Sequence, residues 1–209
     1  MRVAALFDVH GMPWALEAVL AEVAREDVDA IVFGGDYLYG PYPQDVIRTI
    51  RSLDALAVRG NADDDDPWGS TLPLAVDVDG VTYCHAAPTS NTPITTAITP
   101  DDAVRATFAD ATGTFVIGHT HHQFDRRIGE LRVINAGSVG MAYESEVAAF
   151  WTLLVDGEPS FRKTPFDVDR AVREIQASGW EPGEEYVREN LLQAQSRDEA
   201  IEALESRRS

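Results

Sequence analysis

The sequence predicts an α/β chain of the mixed α+β kind: a two-sheet β sandwich flanked by helices, with a C-terminal helical tail. Three observations carry this expectation. Apolar runs and amphipathic stretches alternate as β-α-β-α-β over residues 2–58, the pattern of parallel strands joined by helices. Three later pairs of apolar runs fold back over the dipeptides Asp79-Gly80, Gly129-Glu130 and Asp156-Gly157, which signal antiparallel hairpins. After Pro165 the apolar residues recur at helical spacing. A parallel block followed by antiparallel pairs fits two packed sheets better than one open sheet.

The elements follow in order. Residues 2–7 form a short apolar run, expected to be a buried strand. Pro13 suits a first helical turn, and Leu16, Val19, Leu20 and Val23 then give one apolar face. Residues 30–33 are a second buried strand ending at Gly34-Gly35. Val46, Ile47, Ile50 and Leu53 mark a second helix, and residues 55–58 a third strand. The hairpins pair residues 72–78 with 81–84, 125–128 with 131–134, and 147–155 with 159–163, and residues 114–117 add one more buried strand. Helices are expected over 168–177, 184–194 and 197–206, with Gly179 and Pro182 breaking the first from the second. Residues 1–165 therefore read as one domain and 166–209 as a helical appendage packed on its core.

Composition narrows the function. Hydrophobic residues make up 44% of the 209, enough for a real core. Seventeen basic residues face 35 acidic ones, a net charge of −18. That field repels phosphate backbones and anionic lipid, so neither long nucleic acid nor a membrane is the expected partner. A compact anionic substrate remains open where bound cations reverse the local sign. Cys84 is the only cysteine, so no internal disulfide forms, and the expected setting is cytoplasmic. No leader is expected, since the first apolar run ends at Asp8, and residues 147–155 are too short to span a bilayer. A second copy of the chain is a candidate partner.

The chemistry gathers at strand ends. The run over 2–7 is followed by Asp8 and His10, that over 30–33 by Asp36, and that over 55–58 by Asn61. The run over 81–84 is followed by His85 and that over 114–117 by His119 and His121. In α/β sheets, ligand sites collect at the carboxyl ends of strands. Any one of these residues alone reads as a turn former, a helix cap or a packed histidine. Five such ends, holding four of the five histidines in the chain, do not reduce to turn chemistry. Cys84 points away from His85 by strand alternation and is expected in the core. Seven mixed oxygen and nitrogen donors exceed one tetrahedral zinc. They suit two divalent ions about 3.5–4 Å apart, bridged by one carboxylate, a clamp fitted to phosphate ester hydrolysis.

The ordered set Asp8-x-His10, Gly35-Asp36, Gly60-Asn61, His85 and Gly118-His119-x-His121 resembles the calcineurin-like metallophosphoesterases. The resemblance covers residues 2–140, and residues 135–140 are similar to the loop that closes the domain in small bacterial and archaeal members. It implies a two-sheet sandwich flanked by helices. It also implies one metal held by Asp8, His10, Asp36 and His121, and a second held by Asp36, Asn61, His85 and His119, with Asp36 bridging. In such a family a hydroxide shared by the two metals attacks phosphorus in line, and both metals disperse the developing charge. Manganese is the expected metal, with iron, zinc, nickel or cobalt as alternatives.

One departure bears on substrate. The family's third motif commonly continues with a histidine that serves as a candidate general acid, and here that place is Ala62. An acid of this kind contributes about 10²–10⁴-fold, most for poor leaving groups. The expected substrate is therefore a small phosphorylated molecule, a phosphodiester before a monoester. Met12, where relatives often carry Asn, is expected to remove one phosphate-contacting amide. Asp63 holds the acidic position of the motif without its usual partner, and Asp64, Asp65 and Asp66 are expected to form a solvated loop ended by Pro67.

Several other features read as decoys. His122 is expected at the rim rather than as a ligand. Ala136-Gly137-Ser138-Val139-Gly140 mimics a nucleophile elbow without the helix that an elbow needs. Tyr37, Tyr39 and Tyr42 read as loop packing before they read as a wall for an aromatic ester group. Arg126 and Arg127 read as a solvated sheet face. The rival reading is a catalytically weak or inactive metal-binding scaffold or regulatory protein of the same fold, as a retromer subunit of that fold is. A phosphomonoesterase or protein phosphatase is a further alternative, the latter disfavoured by a chain this short without an extra substrate lobe.

Overall fold

Alternation along strand β1 (Arg2–Leu6) sets the layers of the molecule. Val3, Ala5 and the following Phe7 face one way, into a cluster shared with Val81, Tyr83, Val116 and Ile134 of a second sheet. Ala4 and Leu6 face the other way, toward helices. A strand buried on both faces reads as a continuous apolar run, which is why its sequence shows no polar alternation. The computed structural model describes residues 1–208.

The first sheet has the order β10-β9-β1-β2-β3. Here β2 (Ala30–Phe33) pairs parallel to β1 and β3 (Leu56–Ala57) parallel to β2. The hairpin of β9 (Ala149–Val155) and β10 (Glu158–Thr164) closes the other side antiparallel. The second sheet has the order β4-β5-β6-β8-β7. In it β5 (Val81–Cys84), β6 (Gly113–Ile117) and β8 (Leu131–Asn135) run parallel, while β4 (Ala75–Val78) and β7 (Phe124–Ile128) pair antiparallel at the edges. The expected pair of mixed sheets is what forms.

Helices α1 (Pro13–Val23) and α2 (Pro43–Ser52) bury Trp14, Leu16, Val19, Val46, Ile47 and Ile50 against the first sheet. Each starts on a proline, whose fixed φ and missing N–H fit a first turn. The second sheet's outer face is covered by α3 (Asp101–Thr107), whose Val104 joins Phe108, Phe115, Phe124 and Leu131. The tail contributes α4 (Val168–Ser178), α5 (Gly183–Val187), a π-helical turn over Arg188–Leu192, and α6 (Arg197–Arg207). Ala171, Ile175, Tyr186, Val187 and Leu191 lie in the same cluster as Ala4, Leu6 and Trp151. Among the described residues no helix is long and apolar enough to cross a membrane.

The structure differs from expectation in three elements. The third strand is an edge of two residues, with Leu56 exposed, shorter than the expected 55–58. The fourth starts only at Ala75, after Pro73, whose missing N–H cannot join a ladder. Helix α3 was not expected, because its seven residues bury a single apolar side chain and show no period.

Candidate metal centre

Five of the seven expected donors stand on backbone that L-residues seldom adopt. Asp8, His10, Asp36, His119 and His121 have φ of 53°, 48°, 55°, 67° and 57°. Each such residue costs on the order of 1–3 kcal/mol, and strain of this kind collects at functional sites. Hydrogen bonds hold it in place. The Asp8 amide donates to Gly35 O (3.1 Å) and the His10 amide to Asp36 O (2.9 Å). The Asp8 carbonyl accepts from Ser138 Oγ at 2.9 Å and from the Gly140 amide at 3.0 Å. The elbow mimic is thus a clamp on Asp8; Ser138 is fully buried and its hydroxyl engaged.

One group of side chains is Asp8, His10, Asp36 and His121, all buried, with donor atoms within 4.8 Å of one another. His10 Nδ1 donates to Tyr39 O (3.1 Å), so its Nε2 carries the lone pair. That Nε2 lies 3.1 Å from His121 Nε2 and 3.9 Å from Asp36 Oδ2. His121 Nε2 lies 3.6 Å from Asp8 Oδ1. Asp8 Oδ1 is buried with no hydrogen-bond partner among the described residues, while Oδ2 accepts from the His119 amide at 3.0 Å.

The second group is Asp36, His85 and His119. His85 Nδ1 donates to Gly34 O (2.9 Å) and His119 Nε2 donates to Thr92 O (3.1 Å). Both remaining nitrogens are therefore bare, and they face each other at 3.2 Å. Asn61 Oδ1 converges on the same His85 Nε2 at 3.1 Å, and Asp36 Oδ1 at 3.5 Å. Lone pairs aimed at one point repel unless a cation lies between them. This donor set, with the orphaned Asp8 oxygen, fits divalent metal ions. Asp36 turns Oδ2 to the first group and Oδ1 to the second, the disposition of a bridging carboxylate. All seven expected residues are brought together.

Close approach explains two glycines. A Cβ on Gly60 would lie 2.1 Å from Asp36 Oδ1, and one on Gly118 would lie 2.4 Å from Asp8 Oδ2. The electrostatics follow from burial and crowding. Burial pushes the Asp8 carboxyl up, but His121 foremost, then His85 and His10, bring it down to about 2. Burial, then the charge of His121, lowers His10 to about 4. Burial, then the charge of His85, lowers His119 to about 4. Burial opposes a charge on His85, yet Asp36 and Asp8 outweigh it and raise that pKa. Asp8 is thus kept charged and His10 and His119 neutral, the protonation states that metal ligation requires.

Asp63 corrects the sequence reading. It is fully buried, and its Oδ2 accepts from the Asp36 amide (2.8 Å) and the Gly60 amide (2.9 Å), while Oδ1 accepts from the Tyr37 amide (2.8 Å). Burial and the charge of Asp36 raise its pKa to about 6 against those amides. Asp66 accepts from the amides of Trp68 and Gly69, so only Asp64 and Asp65 stand as exposed members of the run. The sequence carried one hint of this role, the acidic position of the third motif.

The family now follows from sequence as well as geometry. The family model of the calcineurin-like phosphoesterase superfamily domain matches residues 1–158. The chain belongs to that superfamily. Its calcineurin-like fold is shared by a metallophosphoesterase from Sphaerobacter thermophilus, at 21% identity over 86% of this chain and 95% of that one, with a TM-score of 0.70. A hypothetical protein from Pyrococcus horikoshii OT3 shares 17% identity over 89% of this chain and 97% of its own, with a TM-score of 0.78. An archaeal phosphodiesterase shares 16% over 78% and 98%, with a TM-score of 0.53. No curated protein matches the sequence. Calcineurin-like phosphoesterases are metal-dependent, and this member is a phosphoric ester hydrolase by class.

The remaining decoys resolve on contacts. His122 is not a rim residue: it is buried, lies 2.7 Å from Thr120 O through Nδ1, and accepts from the Ala97 amide at 3.2 Å. Tyr37 is buried with its hydroxyl 2.7 Å from Val58 O, and Tyr42 bonds Glu174 O, so both are packing residues. Tyr39 is the exception, 53% exposed and edge-on to His10 at 5.9 Å. Arg126 binds Thr96 O, Thr99 O and Asp101, and Arg127 pairs with Glu158. Met12 is fully buried, so its side chain packs and does not face solvent. Cys84 is in the core, as strand alternation requires.

Proposed function

We propose that this chain hydrolyses a small phosphodiester with two divalent ions, manganese first among them, in a cytoplasmic setting. In this reading Asp8, His10, Asp36 and His121 hold one ion, and Asp36, Asn61, His85 and His119 hold the other. The observation that carries it is the pair of donor groups sharing Asp36, with bare imidazole nitrogens converging from fixed tautomers. Ions bound there supply Lewis-acid charge for the phosphoryl oxygens and lower the pKa of attacking water.

The chain's own residues do the rest. Tyr39 O, Gly34 O and Thr92 O each hold a histidine proton on the outer nitrogen, which keeps the inner nitrogen available. Asp63 fixes the amides of Gly60, Asp36 and Tyr37, and so the spacing of Asp36 and Asn61. Ala62 supplies only its amide, which donates to Asp36 Oδ1 at 2.8 Å. With no side-chain acid there, departure of a poor leaving group is unassisted, which supports diesters and activated esters over alkyl monoesters.

The test is a metal-supplemented assay on bis(p-nitrophenyl) phosphate, p-nitrophenyl phosphate and an alkyl phosphomonoester, with metal counted by mass spectrometry. Two bound ions with the diester turned over fastest is the expected outcome; two ions with no turnover of any ester favours the scaffold reading. Ala62→His is expected to raise the alkyl monoester rate about 10²-fold and the nitrophenyl rates far less. Equal rates on all three esters before and after the change remove this account of Ala62.

A further inference from the structure

Beside the first donor group lies a cavity of about 440 Å³. Its near wall is Tyr39 and Tyr143, which pack on His10 and His121 with ring centroids 5.9 and 4.8 Å apart. Its far wall comes from the tail: Glu185, Tyr186, Glu189 and Asn190 of α5 and the π-helical turn behind it. Turns of this type recur at functional sites.

The wall chemistry is selective. Three tyrosines, Tyr39, Tyr143 and Tyr186, line the cavity, and Trp180, outside that lining, packs edge-on against Tyr39 and Tyr186. Aromatic faces of this kind attract a compact organic cation. Glu185 and Glu189 share one cation, Arg188, at 3.7 and 3.0 Å, which leaves that wall net negative. Some donors are engaged: Asn190 Nδ2 gives one N–H to Tyr186 O, Gln195 Nε2 one to Glu189 O, and the Tyr186 hydroxyl bonds Gly140 O. The donors on this lining are neutral, and its charged side chains are the two carboxylates, set beside the tyrosine rings. That combination attracts an organic cation and repels a second phosphate.

We propose that this cavity receives the retained alcohol of the phosphodiester, and that this alcohol carries an alkylammonium group of the choline or ethanolamine type. The inference rests on the phosphoesterase reading and adds the substrate class to it. The C-terminal tail, outside the matched family region of 1–158, is then the specificity element of the enzyme.

Two measurements on the metal-loaded full chain test it. In the first, phosphocholine and its neutral isostere 3,3-dimethylbutyl phosphate are titrated calorimetrically, with adenosine 5′-monophosphate as the base-bearing control. Phosphocholine is expected to bind about tenfold more tightly than the isostere. In the second, kcat/KM is compared for the p-nitrophenyl diesters of choline and of 3,3-dimethylbutanol. The same preference is expected, carried by KM, and in the Glu185→Gln/Glu189→Gln double variant it falls to within about twofold of unity. Both glutamates are exposed, so the variant should fold, which a melting curve checks. Equal binding of cation and isostere, tighter binding of the nucleotide, or a preference unmoved in the double variant overturns the proposal. Diester turnover without cation preference removes this inference and leaves the phosphoesterase reading. Phosphocholine preference without turnover of any ester supports the cavity and removes the hydrolase.

Discussion

The two donor groups both combine histidines with Asp36 but are set at different depths. Asp8, His10, Asp36 and His121 are all buried, and the 135–143 loop braces them through the Asp8 carbonyl and through the Tyr143 amide bond to His121 O. In the other group His85 is buried, His119 half-buried and Asn61 exposed. The first has an orphaned carboxylate oxygen and carboxylate charge from two aspartates. The second shares one of those carboxylates and adds a neutral amide. Under the two-ion reading, depth and charge would make the first group the tighter site and the second the one that exchanges more readily.

The largest break comes at the residue both groups share. Asp36→Asn removes the bridging charge and turns one carboxylate oxygen into an amide nitrogen. Activity on bis(p-nitrophenyl) phosphate is expected to drop by about 10³-fold or more, with bound metal falling below two per chain by mass spectrometry. Retention of two ions and most of the activity would show that Asp36 does not bridge.

Asp63→Ala comes next. It strands the amides of Asp36, Tyr37 and Gly60 in a buried position. Unsatisfied buried groups cost about 1–3 kcal/mol each, so a loss of about 3–5 kcal/mol in a urea melt is expected, less than the simple sum because the loop relaxes. The second ion should weaken more than the first, since Asn61 lies two residues away on the same 3₁₀ turn.

Asp63 also marks where the sequence stops being legible. The seven donors were readable because each follows an apolar run, and a strand end is a place that local pattern identifies. The two-sheet architecture was readable from the change between parallel and hairpin signals. The role of Asp63 was not, because its partners are backbone amides, one of them 27 residues earlier, and a backbone partner leaves no trace in residue type. The particular partners of the tail were hidden for a related reason. Its helices are charged, yet Ala171, Ile175, Tyr186 and Leu191 bury in the main core, and Glu205 accepts from the hydroxyls of Thr96 and Thr99 in the loop whose Thr92 orients His119. Distant contacts of this kind appear only once the chain is folded.

Asn61→Ala separates the two groups more finely. Loss of one amide ligand at the exposed side is expected to weaken the second ion about 10–100-fold and to leave the first bound. Dialysis against a chelator should then remove one equivalent from the variant at concentrations that leave the parent chain fully loaded. Simultaneous loss of both ions would mean that the two groups bind as one unit and that depth does not distinguish them.

The smallest effect tests the buried side without touching a ligand. Burial foremost lowers the His122 pKa from 6.5 to about 4, with the charges of Arg197 and His121 adding to it and Thr120 O opposing. The unfolded chain therefore binds a proton near pH 6.5 that the folded chain takes up only near pH 4. Stability from keeping His122 neutral is fully present above pH 6.5 and is lost as pH falls toward 4, about 3 kcal/mol in all. His122→Gln keeps a donor for Thr120 O and an acceptor for the Ala97 amide but does not titrate. Melting temperatures of the metal-free parent and variant are expected to converge as pH drops from 7 to about 4, because the parent alone pays the cost of protonating this site. A constant gap across that range would show that His122 does not set the acid limit, and would move it to the donor groups themselves.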